Sequence, residues 1–102
     1  MTFTVLPEAE LEAAEAVLWY DEQRRGLGDE FLIELTQALD RIRREPRALP
    51  RLKTYVGRHE IRCCLLKRFP YLVIFVYRPT EVLVVAVSHA RRNPLYWLER
   101  IT

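Results

Sequence analysis

Residues 2–6, TFTVL, mix β-branched, aromatic and apolar side chains, the composition of a short strand. Pro7 follows, where proline suits the first turn of a helix, and Glu8, Glu10 and Glu12 then lie toward the positive end of a helix dipole. Leu11, Ala14, Val17 and Leu18 recur at helical spacing, which predicts an amphipathic helix from residue 7 to about 24. The stretch RRGLGDEF interrupts it: Gly26 and Gly28 supply a turn, and Asp29 is placed to cap the next helix. Phe31, Leu35, Ala38, Leu39 and Ile42 form a second apolar stripe, with Glu30, Glu34, Gln37, Arg41 and Arg44 opposite. Pro46 and Pro50 end that helix and predict an extended connector. Two helices joined by so short a glycine turn pair as a hairpin.

The period then changes from helical to alternating. In HEIRCCLLKRF, Ile61, Cys63 and Leu65 alternate with Glu60, Arg62 and Cys64. FPYLVIFVY and EVLVVAV follow, separated by RPT, so three successive strands predict an antiparallel meander. The last two are apolar on both faces. One face is free to pack on the helix hairpin; the other requires a cover, supplied by the segment from Pro94 or by a partner protein. The predicted fold is α+β, a two-helix hairpin packed on an antiparallel sheet, in the order β-α-α-β-β-β with a short C-terminal helix. It fills residues 1–102 as one domain.

Composition narrows the function classes. Hydrophobic residues are 50% and charged ones 29%, a globular balance. A net charge of +2 neither demands nor excludes a polyanionic partner, so the placement of charge matters more than its sum. Adjacent Cys63 and Cys64 point to opposite faces of a strand and form no bridge with each other, which fits a reduced cytoplasmic setting. No signal-peptide pattern opens the chain, and no apolar run approaches the roughly 20 residues that span a bilayer. Glycine-rich phosphate loops, paired metal ligands and nucleophile elbows are all missing, so neither metal nor cofactor is expected. Cys64, near Arg62 and Lys67, is either an activated thiol or an inert buried one, the latter being the expectation. RIRRE at the end of the second helix reads as a solvated helix surface.

Chemistry concentrates at the end of the chain, in SHARRNPLYWLERIT. His89, Arg91, Arg92, Tyr96 and Trp97 follow directly on an apolar strand, and Arg62, Lys67 and Arg68 lie on or after an adjoining one. A histidine among cations stays neutral near pH 7 and serves as acid or base, while arginines hold a phosphate by forked hydrogen bonds. Tyr96 and Trp97 either stack a nucleobase or staple the final segment to the sheet.

The element order, together with WYDEQRRGLGDEF, RFPYLVIFVY and VLVVAVSHARRNPLYWLERI, resembles the RelE/ParE superfamily of toxins from bacterial toxin–antitoxin pairs, over nearly the whole chain. That resemblance implies a small cytoplasmic toxin that arrests growth or stabilises a plasmid, in a hetero-oligomer with an antitoxin covering its exposed groove. RelE-type members cut messenger RNA on the ribosome by attack of a 2′-hydroxyl on the next phosphate. For that activity the resemblance implies Arg62, His89, Arg92 and Tyr96 as catalytic, with Lys67, Arg68, Arg91 and Trp97 binding RNA or another target. ParE-type members bind DNA gyrase and perform no chemistry. Leu72 stands where RelE-type enzymes carry an arginine, and Glu60 where they carry a basic residue, a substitution that repels phosphate. These departures favour gyrase as the target. Ribosome-dependent mRNA cleavage is the alternative, and a degenerate, non-toxic antitoxin-binding module the third reading.

Overall fold

The computed structural model describes residues 1–102. Its elements are β1 (Thr2–Val5), α1 (Pro7–Gln23), α2 (Leu27–Arg44), a 3-10 turn at Pro46–Ala48, β2 (Glu60–Leu65), β3 (Tyr71–Arg78), β4 (Glu81–His89) and a second 3-10 turn at Leu98–Ile101. The order β-α-α-β-β-β is as expected. The sheet is mixed, however, in the spatial order β1-β4-β3-β2: β2, β3 and β4 run antiparallel, while β1 joins β4 in parallel. The first strand thus pairs with the last. The final segment closes with the expected short helix, of the 3-10 type.

Both faces of the sheet are covered by this chain. On one, Val73, Phe75, Val82, Val84 and Val87 meet Ala9, Ala16, Tyr20, Phe31, Leu35, Ala38 and Ile42 of the helix hairpin. On the other, Ile61, Ile74, Val76, Leu83, Val85 and Ala86 gather around Trp97, flanked by Leu52, Tyr55, Leu95 and Ile101. Of the two covers expected for that face, the segment from Pro94 is the one found, and a partner protein is not needed there. The connector and the segment after Pro94 together cover it, which also explains why β3 and β4 are apolar on both sides. Cys64 lies with the first core and Cys63 beside the second, on opposite faces, and burial raises the pKa of both thiols.

The hairpin departs from expectation in two places. Asp29 is not the cap of α2. Gly26 sits at that position with φ of 91°, and the Asp21 carboxylate from the end of α1 accepts from the Gly26 and Gly28 amides at 3.0 and 3.1 Å. The inward stripe of α1 is also rotated: Ala9, Ala16 and Tyr20 are buried, whereas Leu11 and Leu18 are 61% and 65% exposed. A helix whose buried positions are mostly alanine leaves its leucines to mark the wrong face.

Candidate functional site

The C-terminal cluster is organised by a residue of α1. Glu12 projects toward the end of β4, where one carboxylate oxygen accepts from the Val87 amide at 3.0 Å. Arg100 donates to both carboxylate oxygens at 3.0 and 3.1 Å, and also to the Val85 carbonyl at 2.8 Å. Tyr96 donates its hydroxyl at 2.6 Å, and Arg92 adds a contact at 3.3 Å while stacking 3.6 Å over the Tyr96 ring. Burial alone raises the Glu12 pKa, but the hydrogen bonds from Arg100, Tyr96 and Val87 outweigh it and hold the carboxyl below its ordinary value. The same contact acts oppositely on Tyr96: burial first, then donation to Glu12, pushes its pKa up to about 12. A tyrosine so held is poorly matched to proton transfer near pH 7.

His89 ends β4 opposite Tyr71, against whose ring it packs edge to face at 5.3 Å. Its Nδ1 accepts from the Arg91 amide at 3.1 Å. Beside it opens a cavity of about 300 Å³ lined by Glu12, Glu15, Trp19, Tyr71, His89 and Arg92, among others. Two carboxylates on that lining oppose a phosphate. Arg91 is exposed nearby.

The remaining candidates lie elsewhere. Arg62, in the middle of β2, donates from Nε to Glu60 at 2.8 Å and from Nη1 to the Leu49 carbonyl, with its side chain only 12% exposed. It pairs with Phe75, four residues along β3 from the Tyr71 that pairs with His89. That register separates Arg62 from His89 by roughly 13 Å along the strands and about 10 Å across them. Convergence of Arg62, His89, Arg91, Arg92 and Tyr96 on one phosphate-sized patch does not occur. Lys67 and Arg68 are in the β2–β3 turn, where their amides donate to Glu34 and Arg68 reaches Glu30 at 2.9 Å. These contacts fasten the turn to α2. Trp97 is fully buried with its indole N–H donating to the Pro94 carbonyl at 2.9 Å, so it staples the segment and offers no face for stacking.

In the sequence Glu12 reads only as a helix-dipole residue. Its partners, residues 87, 92, 96 and 100, are at least 75 positions distant, and only the fold brings them together.

Away from this cluster, α1 and α2 enclose a groove of about 630 Å³ whose lining is apolar except for Glu10. Val5, Ala9, Ala14 and Leu18 face Leu32, Leu35 and Leu39 across it. Leu18 and Leu32 of this lining are exposed, so the groove is an apolar surface the chain leaves uncovered. No helix is long and apolar enough to cross a membrane.

The fold is similar to that of a solved protein described as a chromosomal ParDE TA system from P. aeruginosa, with a TM-score of 0.76 at 11% identity, covering 89% of this chain and 97% of that one. No curated protein sequence matches. Residues 4–94 match the family described as ParE toxin of type II toxin–antitoxin system, parDE. With that match spanning most of the sequence, the chain belongs to the ParE toxin family of type II toxin–antitoxin systems.

Proposed function

We propose that the protein arrests growth by binding DNA gyrase, without chemistry of its own, and that a cognate antitoxin neutralises it. The observation that carries this reading is the Glu12 network. It engages Arg92, Tyr96 and Arg100, while Arg62 is held by Glu60 and Leu49 well away from His89. A ribonuclease of the RelE type needs these cations and a proton-transfer group gathered around one phosphate. Here Arg92 and Tyr96 fasten the end of the chain, and Arg62 is tied to the connector. Membership of the ParE family supports the same conclusion.

The groove between α1 and α2 is the seat we assign to the antitoxin. Its apolar lining, with Leu18 and Leu32 exposed, suits the apolar face of an amphipathic helix laid between the two. Docked there, the antitoxin forms a hetero-oligomer with the toxin.

Induced expression in bacteria tests the reading as a whole, with growth and plasmid topology read from the same cells. Growth should stop and plasmids should lose negative supercoiling, and co-expression of the adjacent small gene should restore both. Normal growth despite abundant folded protein would leave only a non-toxic binding module. Arrest with unchanged topology and fragmented mRNA would favour the ribosome-directed alternative.

A further inference from the structure

The modest net charge of the chain conceals a segregation. Helix α1 carries six acidic side chains and no basic one, whereas residues 41–62 carry seven arginines and a lysine against Glu45 and Glu60. The basic segment runs from the last turn of α2 through the 3-10 turn and connector into β2.

The register of the sheet arranges part of this charge in a line. Phe3 pairs with Val82, Val82 with Tyr77, and Tyr77 with Glu60, so these four side chains form one row across all four strands. Arg43 lies over the Phe3 ring at 4.9 Å and Arg47 over the Tyr77 ring at 5.3 Å. At the end of the row Glu60 is surrounded by Arg62, Arg47 and Arg51 at 2.8, 3.4 and 3.7 Å. One carboxylate thus faces three guanidiniums and leaves a surplus of positive charge. Arg47 and Arg51 are 62% and 61% exposed, and Arg43 is exposed as well. Near Arg43 the acidic neighbours are Glu10 and Asp40, and Asp40 is already paired with Arg44 at 3.0 Å.

From this layout we infer that the row of Arg43, Arg47 and Arg51 is a contact surface for the phosphodiester backbone of duplex DNA. Three strand spacings make the row about 14 Å long. One strand of a duplex presents a phosphate for every ~3.4 Å of axis, so a row of that length spans several phosphates and its three arginines can neutralise about three. Arginine forks suit phosphate oxygens, and rings hold two of these guanidiniums in place while, apart from the Arg47 contact with Glu60, leaving their N–H groups toward solvent. The two rings are themselves covered by the arginines, so they give unpaired bases no platform. A duplex backbone, read without regard to sequence, is favoured over a single strand. The inference goes beyond gyrase binding and rests on the charge layout alone.

Fluorescence anisotropy of the full chain with a labelled mixed-sequence DNA duplex of about 20 base pairs tests it without any gyrase present. Binding is expected at about 50 mM salt and should weaken roughly 40-fold by about 200 mM, as about three phosphate contacts require. The double variant Arg47→Ala/Arg51→Ala should bind at least tenfold more weakly at the lower salt and lower the salt slope by about two. Arg43→Ala, at the other end of the row and outside the Glu60 network, should weaken binding severalfold. Arg25→Ala, in the helix turn, should leave binding unchanged. Absence of binding at low salt, or an equal loss from Arg25→Ala, overturns the inference. So does tighter binding of single-stranded DNA, of an RNA duplex or of a polyglutamate peptide than of the DNA duplex.

Discussion

The hydroxyl of Tyr96 donates to the carboxylate of Glu12 at 2.6 Å, joining the first helix to the end of a chain 84 residues later. Arg92 and Arg100 complete the enclosure, and the Glu12 and Arg100 side chains are only 11% and 14% exposed. Residues that resemble catalytic ones in the sequence therefore act as a clasp, which closes the C-terminal segment over the second core.

Removing the acceptor should open that clasp. Glu12→Ala leaves the Arg100 charge and the Val87 amide without their shared partner. Loss of one member of a well-shielded ion pair costs about 3 kcal/mol. Urea unfolding should show a destabilisation of that order, with earlier proteolytic cleavage between residues 90 and 97. A change under about 0.5 kcal/mol, the scale of an ordinary surface substitution, would mean the clasp is incidental.

The clasp also sets the pH dependence. Because the folded pKa of Glu12 is depressed, its contribution is complete above the ordinary carboxylate range and is lost as pH falls through the folded value. For Tyr96 the folded pKa is raised from 10.0 to about 12, so its contribution is complete below pH 10 and is lost as pH rises through 12. Denaturant midpoints measured across pH should fall on both limbs for the natural chain. Glu12→Gln should flatten the acid limb and Tyr96→Phe the alkaline one.

The hairpin turn gives a paired test. A Cβ on Gly28 would lie 2.5 Å from the Val17 carbonyl oxygen, which belongs to the backbone of the facing helix and cannot turn aside. Gly28→Ala should cost about 2 kcal/mol or more through helix separation. At Gly26 a Cβ meets nothing within 4 Å, but φ of 91° remains. Gly26→Ala should cost only about 1 kcal/mol. Thermal midpoints in the reverse order would show that the helices separate more easily than their packing indicates.

Some of this architecture is legible in the sequence and some is not. The α2 stripe is plain because Phe31, Leu35 and Ile42 are large and regularly spaced. On α1 most buried positions are alanine, and Leu11 and Leu18 are exposed, so periodicity there selects the exposed face. The meander follows from alternating runs and tight turns. No local pattern reveals that a strand of four residues at the start will pair in parallel with β4. The site suffers most, since residue types alone do not show that Arg92, Tyr96 and Arg100 have one common acceptor. RIRRE and the following Arg47 likewise read as a plain solvated surface until the fold lays Arg43 over Phe3 and Arg47 over Tyr77, rings that the sheet register sets in one row.

His89 separates the two mechanisms genetically. In a gyrase-directed toxin the imidazole performs no proton transfer, so His89→Ala should arrest growth as strongly as the natural chain at equal expression. In a ribonuclease, loss of the acid or base should reduce cleavage roughly 100-fold or more and restore growth.

The most direct measurement is made with purified components. The full chain is added to DNA gyrase and relaxed plasmid, and in parallel to ribosomes carrying mRNA. Supercoiling should be inhibited in proportion to toxin and recover when the cognate antitoxin is added, while the ribosome-bound mRNA stays whole. Undisturbed supercoiling together with cleaved mRNA, lost on His89→Ala, would contradict the account.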